Sequence, residues 1–235
     1  MTERPPYEPH LGESRRYWRD IILGVNDGLV STFLLIAGVV GGGLSVRVVL
    51  LTAIAGAIAG AISMSTGEWL ATRSQEDVFD REVALEMVHL EHYRDDEVAQ
   101  LDDMLASIGL GGDVLQAAKA YIAEEDERLL KTMSVLEFGL LEDERRSPWL
   151  AAFFSGGLFL AGALPSVVPF MMVTNANVGL LWAGSLTAIG LFTVGVVKGQ
   201  ATKTGLTRSG LHNLAVSLSG AILSYAVGRA YGASN

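Results

Sequence analysis

Five stretches of this chain are apolar over lengths that match the thickness of a lipid bilayer, and no other feature constrains its fold as strongly. Ile21 to Gly43 contains one charged residue, Asp27, and Val48 to Ala71 contains one, Glu68, near its end. Trp149 to Val173, Val178 to Val197 and Gly210 to Val227 contain no Asp, Glu, Lys or Arg at all. A helix over the first stretch would rise roughly 35 Å at 1.5 Å per residue, enough to cross a hydrocarbon core of about 30 Å. Buried helices of soluble proteins are rarely apolar on every face for so long, and five in one chain point to a membrane. The expected fold is therefore all-α: a polytopic membrane protein with five transmembrane helices.

The charges that these stretches lack are collected between the second and the third. Residues 73–146 hold 20 acidic and 8 basic residues, a local net charge of −12 in a chain whose total is −9. This insert is rich in Glu, Ala, Leu, Met, Asp and Gln, all but Asp good helix formers. Three helical segments are expected. The second span runs on to about Arg94, a further helix covers about Asp95 to Ser107, and a third extends from Asp113 to about Leu141. The run SIGLGGD breaks the last two, with Asp113 as N-cap, and Pro148 marks entry to the third span. The expected organisation is a tail over 1–20, spans one and two over 21–72, an acidic helical insert over 73–147, and spans three to five over 148–235.

Basic residues orient the whole. Among the short segments, Arg4, Arg15, Arg16, Arg19, Lys198, Lys203 and Arg208 fall on one side, against Arg47 and Arg229 on the other. The positive-inside rule then puts the N-terminus and the insert in the cytoplasm. The N-terminal twenty residues are polar and lack the apolar core of a signal peptide, so the first span is expected to be retained. An acidic insert attracts cations and repels nucleic acid. The absence of Cys excludes thiolate metal sites, disulfides and a Cys nucleophile. No Gly-rich phosphate loop, HExxH or GxSxG is present, so no enzyme signature competes and no prosthetic group is expected.

The residues that stand out are those that an apolar span should not contain. A central Asp costs about 2.5–3.5 kcal/mol on insertion scales, so Asp27 is expected either to line a polar path or to hydrogen-bond a neighbouring helix. Met64 and Glu68 lie four residues apart and share a helix face. On the expected topology they lie at a similar depth to Asp27. Two carboxylates and a thioether suit Fe2+, Mn2+ or a similar ion, and a carboxylate that holds either a proton or a metal is the physical basis of exchange. Met64 taken alone reads as packing, and Glu68 as an interfacial residue reaching water. In the insert, Glu82, Glu86, His89, Asp96 and Glu97 fall near one face of a continuous helix, a metal-binding composition that a solvated acidic face also produces. Met133 and Glu137 form another i, i+4 pair. Gly38/Gly42 and Gly56/Gly60 are small-xxx-small pairs that let helices approach closely, within the chain or across a dimer.

The segments YWRDIILGVNDGLVSTFLLIAGV, GAIAGAISMSTGEWLATRSQEDV, LEFGLLEDERRSPWLAAFFSGGLFLAGALPSVVPFMM and SGLHNLAVSLSGAILSYAVGR resemble the vacuolar iron transporter family, from about Tyr17 to near the end of the chain. The resemblance implies a five-helix homodimer with a cytoplasmic metal-binding insert that exchanges protons for cytosolic Fe2+, in some members Mn2+. It implies Asp27 and Met64 as intramembrane ligands, and Glu86, Glu97, Met133 and Glu137 as ligands in the insert. This chain departs from the family pattern at three places. Gly56 stands where a second-helix glutamate is expected, and Glu68 is a candidate replacement. His89 and Gln100 stand where glutamates are expected, and the imidazole is a further candidate ligand. A bacterial plasma membrane is the expected location, or a vacuolar membrane in a eukaryote. The reading from another class is a membrane-anchored metal-binding or sensing protein that does not transport.

Overall fold

The computed structural model of the chain describes residues 14–139, 145–201 and 205–234. Every regular element among the described residues is an α-helix: α1 Ser14–Gly41, α2 Val46–His92, α3 Arg94–Ser107, α4 Gly112–Ala123, α5 Asp126–Phe138, α6 Pro148–Met172, α7 Ala176–Ala201 and α8 Leu206–Ala233. Five of them, α1, α2, α6, α7 and α8, are long and apolar enough to cross a membrane. Helix α2 has 47 residues, roughly 70 Å of rise, more than twice a hydrocarbon core. It is apolar from Val48 to Ala71 apart from Glu68, and rich in charged residues from Arg73 onward.

The chain divides into two compact units, one containing the described residues up to Glu68 and from Trp149 onward, the other Trp69–Pro148. In the first unit α1 packs against α7 and α8. Its apolar core joins Ile36 and Val40 of α1, Val49 and Ala53 of α2, Val167 and Phe170 of α6, and Ala183 of α7. Lipid supplies no hydrophobic driving force between helices, so close packing and hydrogen bonds must hold them. Both are present. A Cβ at Gly28 would collide with the backbone carbonyl of Phe159, and one at Gly162 with that of Val25, so α1 and α6 cross backbone to backbone. Gly38, Gly41 and Gly42 meet Ser224, Tyr225, Gly228 and Gly232 of α8 in the same way. Asn213 Nδ2 on α8 donates to Asn26 Oδ1 on α1 at 2.8 Å and to the Leu191 carbonyl on α7 at 3.0 Å. Ser224 Oγ donates to the Leu34 carbonyl at 2.6 Å, and the Ser166 and Thr187 hydroxyls pair at 2.9 Å between α6 and α7.

The glycine pairs read from the sequence thus have partners within the chain. Gly38 and Gly42 seat α8, whereas Gly56 faces the Leu35 side chain and Gly60 the Phe159 ring. The turn from α1 to α2 is short because Gly43 adopts φ +76°, a left-handed conformation that glycine reaches without steric cost.

The second unit is built on an apolar cluster of Leu101, Leu105, Leu115, Leu129 and Met133, with Leu90 of α2 and Val98 of α3 packed against it. Two expectations are corrected here. The third insert helix is not continuous, because α4 ends at Ala123 and α5 starts at Asp126. Two arginines account for the break. Arg94 Nη2 donates to the Ala123 carbonyl at 2.5 Å, and Arg128 Nη1 donates to the Tyr121 carbonyl, so carbonyls freed at the end of α4 are satisfied by side chains. Arg128 also lies over the Tyr121 ring at 3.9 Å. Asp113 is not the N-cap: Gly111, with extended backbone, takes that position, and Asp113 sits in the first turn, where its charge favours the helix dipole.

Candidate metal sites

In the first unit a cavity of 510 Å³ is lined by two antiparallel helix faces. From α1 come Asp27, Ser31, Thr32 and Leu35, and from α2 come Gly56, Gly60, Ser63, Met64, Gly67 and Glu68, with Ser155 and Phe159 of α6 completing the wall. The spacing explains the composition: steps of four, one and three along α1, and of three, four and one along α2, keep each set on one face. Asp27 is exposed, and Met64 and Glu68 are half-buried. Three of the predicted residues thus border one space. Gly67 borders open space, whereas Gly56 and Gly60 are met by the Leu35 side chain and the Phe159 ring. Ser31 Oγ donates back to the Asp27 carbonyl at 2.5 Å, which leaves the Asp27 carboxylate to the cavity. Sequence reasoning missed the hydroxyls of Ser31, Thr32, Ser63 and Ser155. In an apolar stretch an isolated Ser or Thr carries no signal beyond its i, i+4 alignment with Asp27.

The second cluster lies wholly in the insert. Glu86 and His89 lie one turn apart on α2, and Glu97 comes from α3, which the break at Tyr93 folds back against them. One ligand atom from each lies within 4.8 Å of the others. His89 Nδ1 is 3.1 Å from Glu97 Oε1 and 3.9 Å from Glu86 Oε2. Ligands bound at about 2.1 Å are at most about 4.2 Å apart, so closure on an ion needs only a small contraction. Glu86 and Glu97 are 4 % and 5 % exposed, and Glu86 Oε1 and Glu97 Oε2 have no hydrogen-bond partner among the described residues. Buried carboxylate oxygens without partners are costly and rare, unless they await a cation or proton.

The electrostatics agree. Burial first, then the charges of Glu97 and Glu137, and a hydrogen bond with Glu97, push the Glu86 carboxyl up from 4.5 to about 7. Glu137 on α5 is also raised, by burial and by Glu97, against the lowering effects of its Gln100 hydrogen bond and of His89. Gln100 Nε2 donates to Glu137 Oε1. Glu82 adds to the rise at Glu137 and so belongs to the same negative field. Asp96 does not join the cluster: it is exposed on α3, since the face drawn for one continuous helix ends where α2 ends. Met133 is 0 % exposed and sits in the apolar core beside Leu129, one turn before Glu137.

Among the described residues, five helices of membrane-spanning length, a cavity bordered by carboxylates and a thioether, and a buried carboxylate–imidazole cluster are features of a multi-pass membrane protein with candidate sites for divalent cations. The comparisons with known proteins agree with that class and narrow it. The sequence matches the VIT family over residues 18–229, and the chain belongs to that family. It is 33 % identical over 184 residues to vacuolar iron transporter 2 of Oryza sativa subsp. japonica, covering 78 % of this chain and 75 % of the relative. It is 31 % identical over 191 residues to vacuolar iron transporter 1 of Arabidopsis thaliana, covering 81 % and 76 %. It is 27 % identical over 181 residues to protein CCC1 of Saccharomyces cerevisiae, covering 76 % and 56 %. Membership places the chain among transporters rather than enzymes.

Proposed function

We propose that this protein exports Fe2+, and Mn2+ as a second substrate, from the cytoplasm in exchange for protons. The observation that carries the reading is the cavity bordered by Asp27, Met64 and Glu68 among membrane-spanning helices. An intramembrane carboxylate beside a soft sulfur binds a borderline divalent ion, and the same carboxylate takes a proton when the ion leaves. The relatives are named as iron transporters, which supports iron as cargo. Glu68 takes the part of the carboxylate that Gly56 cannot supply, since both positions line the one cavity.

In the same reading the tail over 1–20 and the insert over 73–147 are cytoplasmic, in line with the basic residues of the short segments. Glu86, His89, Glu97 and Glu137 collect the cytosolic ion. Met133 contributes its thioether once the core opens enough to expose it. The imidazole of His89 gives the insert a nitrogen ligand, which moves its preference toward Fe2+ and later first-row ions and away from hard cations. The protein acts as a homodimer in a bacterial plasma membrane, or in a vacuolar membrane if the cell is eukaryotic; the family resemblance supports the dimer.

A second reading, a membrane-anchored metal sensor without transport, draws support from the self-contained insert cluster. Substitution of Asp27 separates the two. Asp27→Asn eliminates Fe2+ flux and leaves metal binding by the insert intact if the protein transports. It alters neither binding nor output if the protein only senses.

A further inference from the structure

Helical serines and threonines in this protein commonly satisfy their hydroxyls on the carbonyl one turn back. Ser31, Thr66, Thr132, Ser134, Ser185, Thr193 and Ser217 all do so. Thr32 does not. It is 2 % exposed, and its Oγ1 has no hydrogen-bond partner among the described residues. A buried hydroxyl without a partner is expensive, and inside a membrane no bulk water relieves it.

Thr32 is also placed where a ligand would use it. It lines the cavity of Asp27, Met64 and Glu68, five residues beyond Asp27 on α1 and so farther from the α2 end that carries Glu68. The α2 residue bordering that part of the wall is Gly56, which has no donor of its own and faces the Leu35 side chain. Between Asp27 and Leu35, α1 offers the cavity only Ser31, whose hydroxyl is engaged on the Asp27 carbonyl, and Thr32.

The geometry points to Thr32 as a further ligand of the transported divalent ion: its hydroxyl oxygen binds the ion, directly or through one water of its shell, once the ion has passed Asp27. This inference rests on the transport reading above and adds a residue to its membrane site. A neutral oxygen there lets an ion move on from Asp27 without meeting a second full charge that would trap it. A helix allows threonine two side-chain rotamers, and ion binding would draw on the one that is not occupied here.

The test compares full-length wild type, Thr32→Val and Thr32→Ser in proteoliposomes, with Fe2+ as the probe under an imposed proton gradient. Valine keeps the shape and removes the oxygen, and serine keeps the oxygen. The expected result is a KM for Fe2+ raised about tenfold in Thr32→Val, with Thr32→Ser within about threefold of wild type. The thermal midpoint of Thr32→Val should be unchanged or higher, because an unpartnered polar atom has been removed. Equal KM values in wild type and Thr32→Val would overturn the assignment, as would equal losses in the valine and serine variants.

A binding assay keeps failure of this assignment distinct from failure of the transport reading. In a background with Glu86→Gln, His89→Gln, Glu97→Gln and Glu137→Gln, equilibrium Fe2+ binding by the purified protein reports the membrane cavity without flux. Binding weakened about tenfold by Thr32→Val supports the ligand role even if no transport is found. Binding that is absent from the background, or indifferent to Thr32→Val, refutes it.

Discussion

Replacing Glu97 with Gln should make the metal-free protein more stable and the metal-loaded protein less stable. Glu97 and Glu86 are both buried and close, and each has an oxygen without a hydrogen-bond partner among the described residues. The rise of Glu86 from 4.5 to about 7 corresponds to roughly 3 kcal/mol of penalty on its ionised form, at 1.36 kcal/mol per unit. Burial is the largest cause and persists in the variant; the Glu97 charge adds a smaller part, on the order of 1 kcal/mol for like charges a few ångströms apart in water-like surroundings. The sign follows from linkage. The folded state holds the Glu86 proton more tightly than the unfolded state, so stability falls as pH rises from 4.5 to about 7 and the full penalty applies above. The advantage of Glu97→Gln should therefore vanish near pH 4.5 and reach about 1 kcal/mol at pH 8, some 2–4 °C in Tm for a chain of this size. Mn2+ at one hundred times its Kd should stabilise the wild type by about 2.7 kcal/mol. If the variant binds a hundredfold more weakly, it gains only about 0.4 kcal/mol at the same concentration. Thermal unfolding in detergent at pH 8, with and without Mn2+, should show the two proteins exchanging rank. A variant less stable than wild type without metal would show that Glu97 is an ordinary structural partner of His89, and the reasoning would fail.

Three further outcomes are expected. Metal affinity of the insert should rise with pH up to about 7 and fall roughly tenfold per unit below it, because the ion must displace the Glu86 proton; titration of Mn2+ binding between pH 5.5 and 8 checks this. Gly28→Ala should lower Tm by several degrees or prevent recovery of a monodisperse protein, since its Cβ would meet the Phe159 backbone, while Gly157→Ala, with open space around it, should stay within about 0.5 kcal/mol of wild type. Glu68→Gln should reduce Fe2+ flux at least tenfold with Mn2+ binding by the insert unchanged, measured on the same preparation.

The spans were legible because an apolar run of bilayer length has few folds open to it, and Asp27 and Glu68 stood out as the only charges within the first two. The i, i+4 relation of Met64 and Glu68 was legible for the same reason. What joins Asp27 to that pair was not. It depends on the crossing of α1 over α6, set by Gly28 against Phe159 and Gly162 against Val25, and no spacing rule connects residues so distant in sequence. In the insert, Glu86 and His89 share a face of α2, but Glu97 reaches them through the break at Tyr93, which a search for one continuous face misplaces together with Asp96. The break between α4 and α5 was invisible locally, since residues 122–128 are mostly good helix formers; Arg94, some thirty residues away, and Arg128 supply the carbonyl caps that end α4. Thr32 was silent because its significance lies in a missing hydrogen bond.

The most direct test of the central claim is Fe2+ uptake into proteoliposomes under an imposed proton gradient, with wild type beside Asp27→Asn. Uptake that follows the gradient in the wild type and is lost in the variant, with metal binding by the insert retained, is the predicted result. A correctly inserted wild type that moves neither Fe2+ nor Mn2+, or an Asp27→Asn variant that transports as well as wild type, would contradict it.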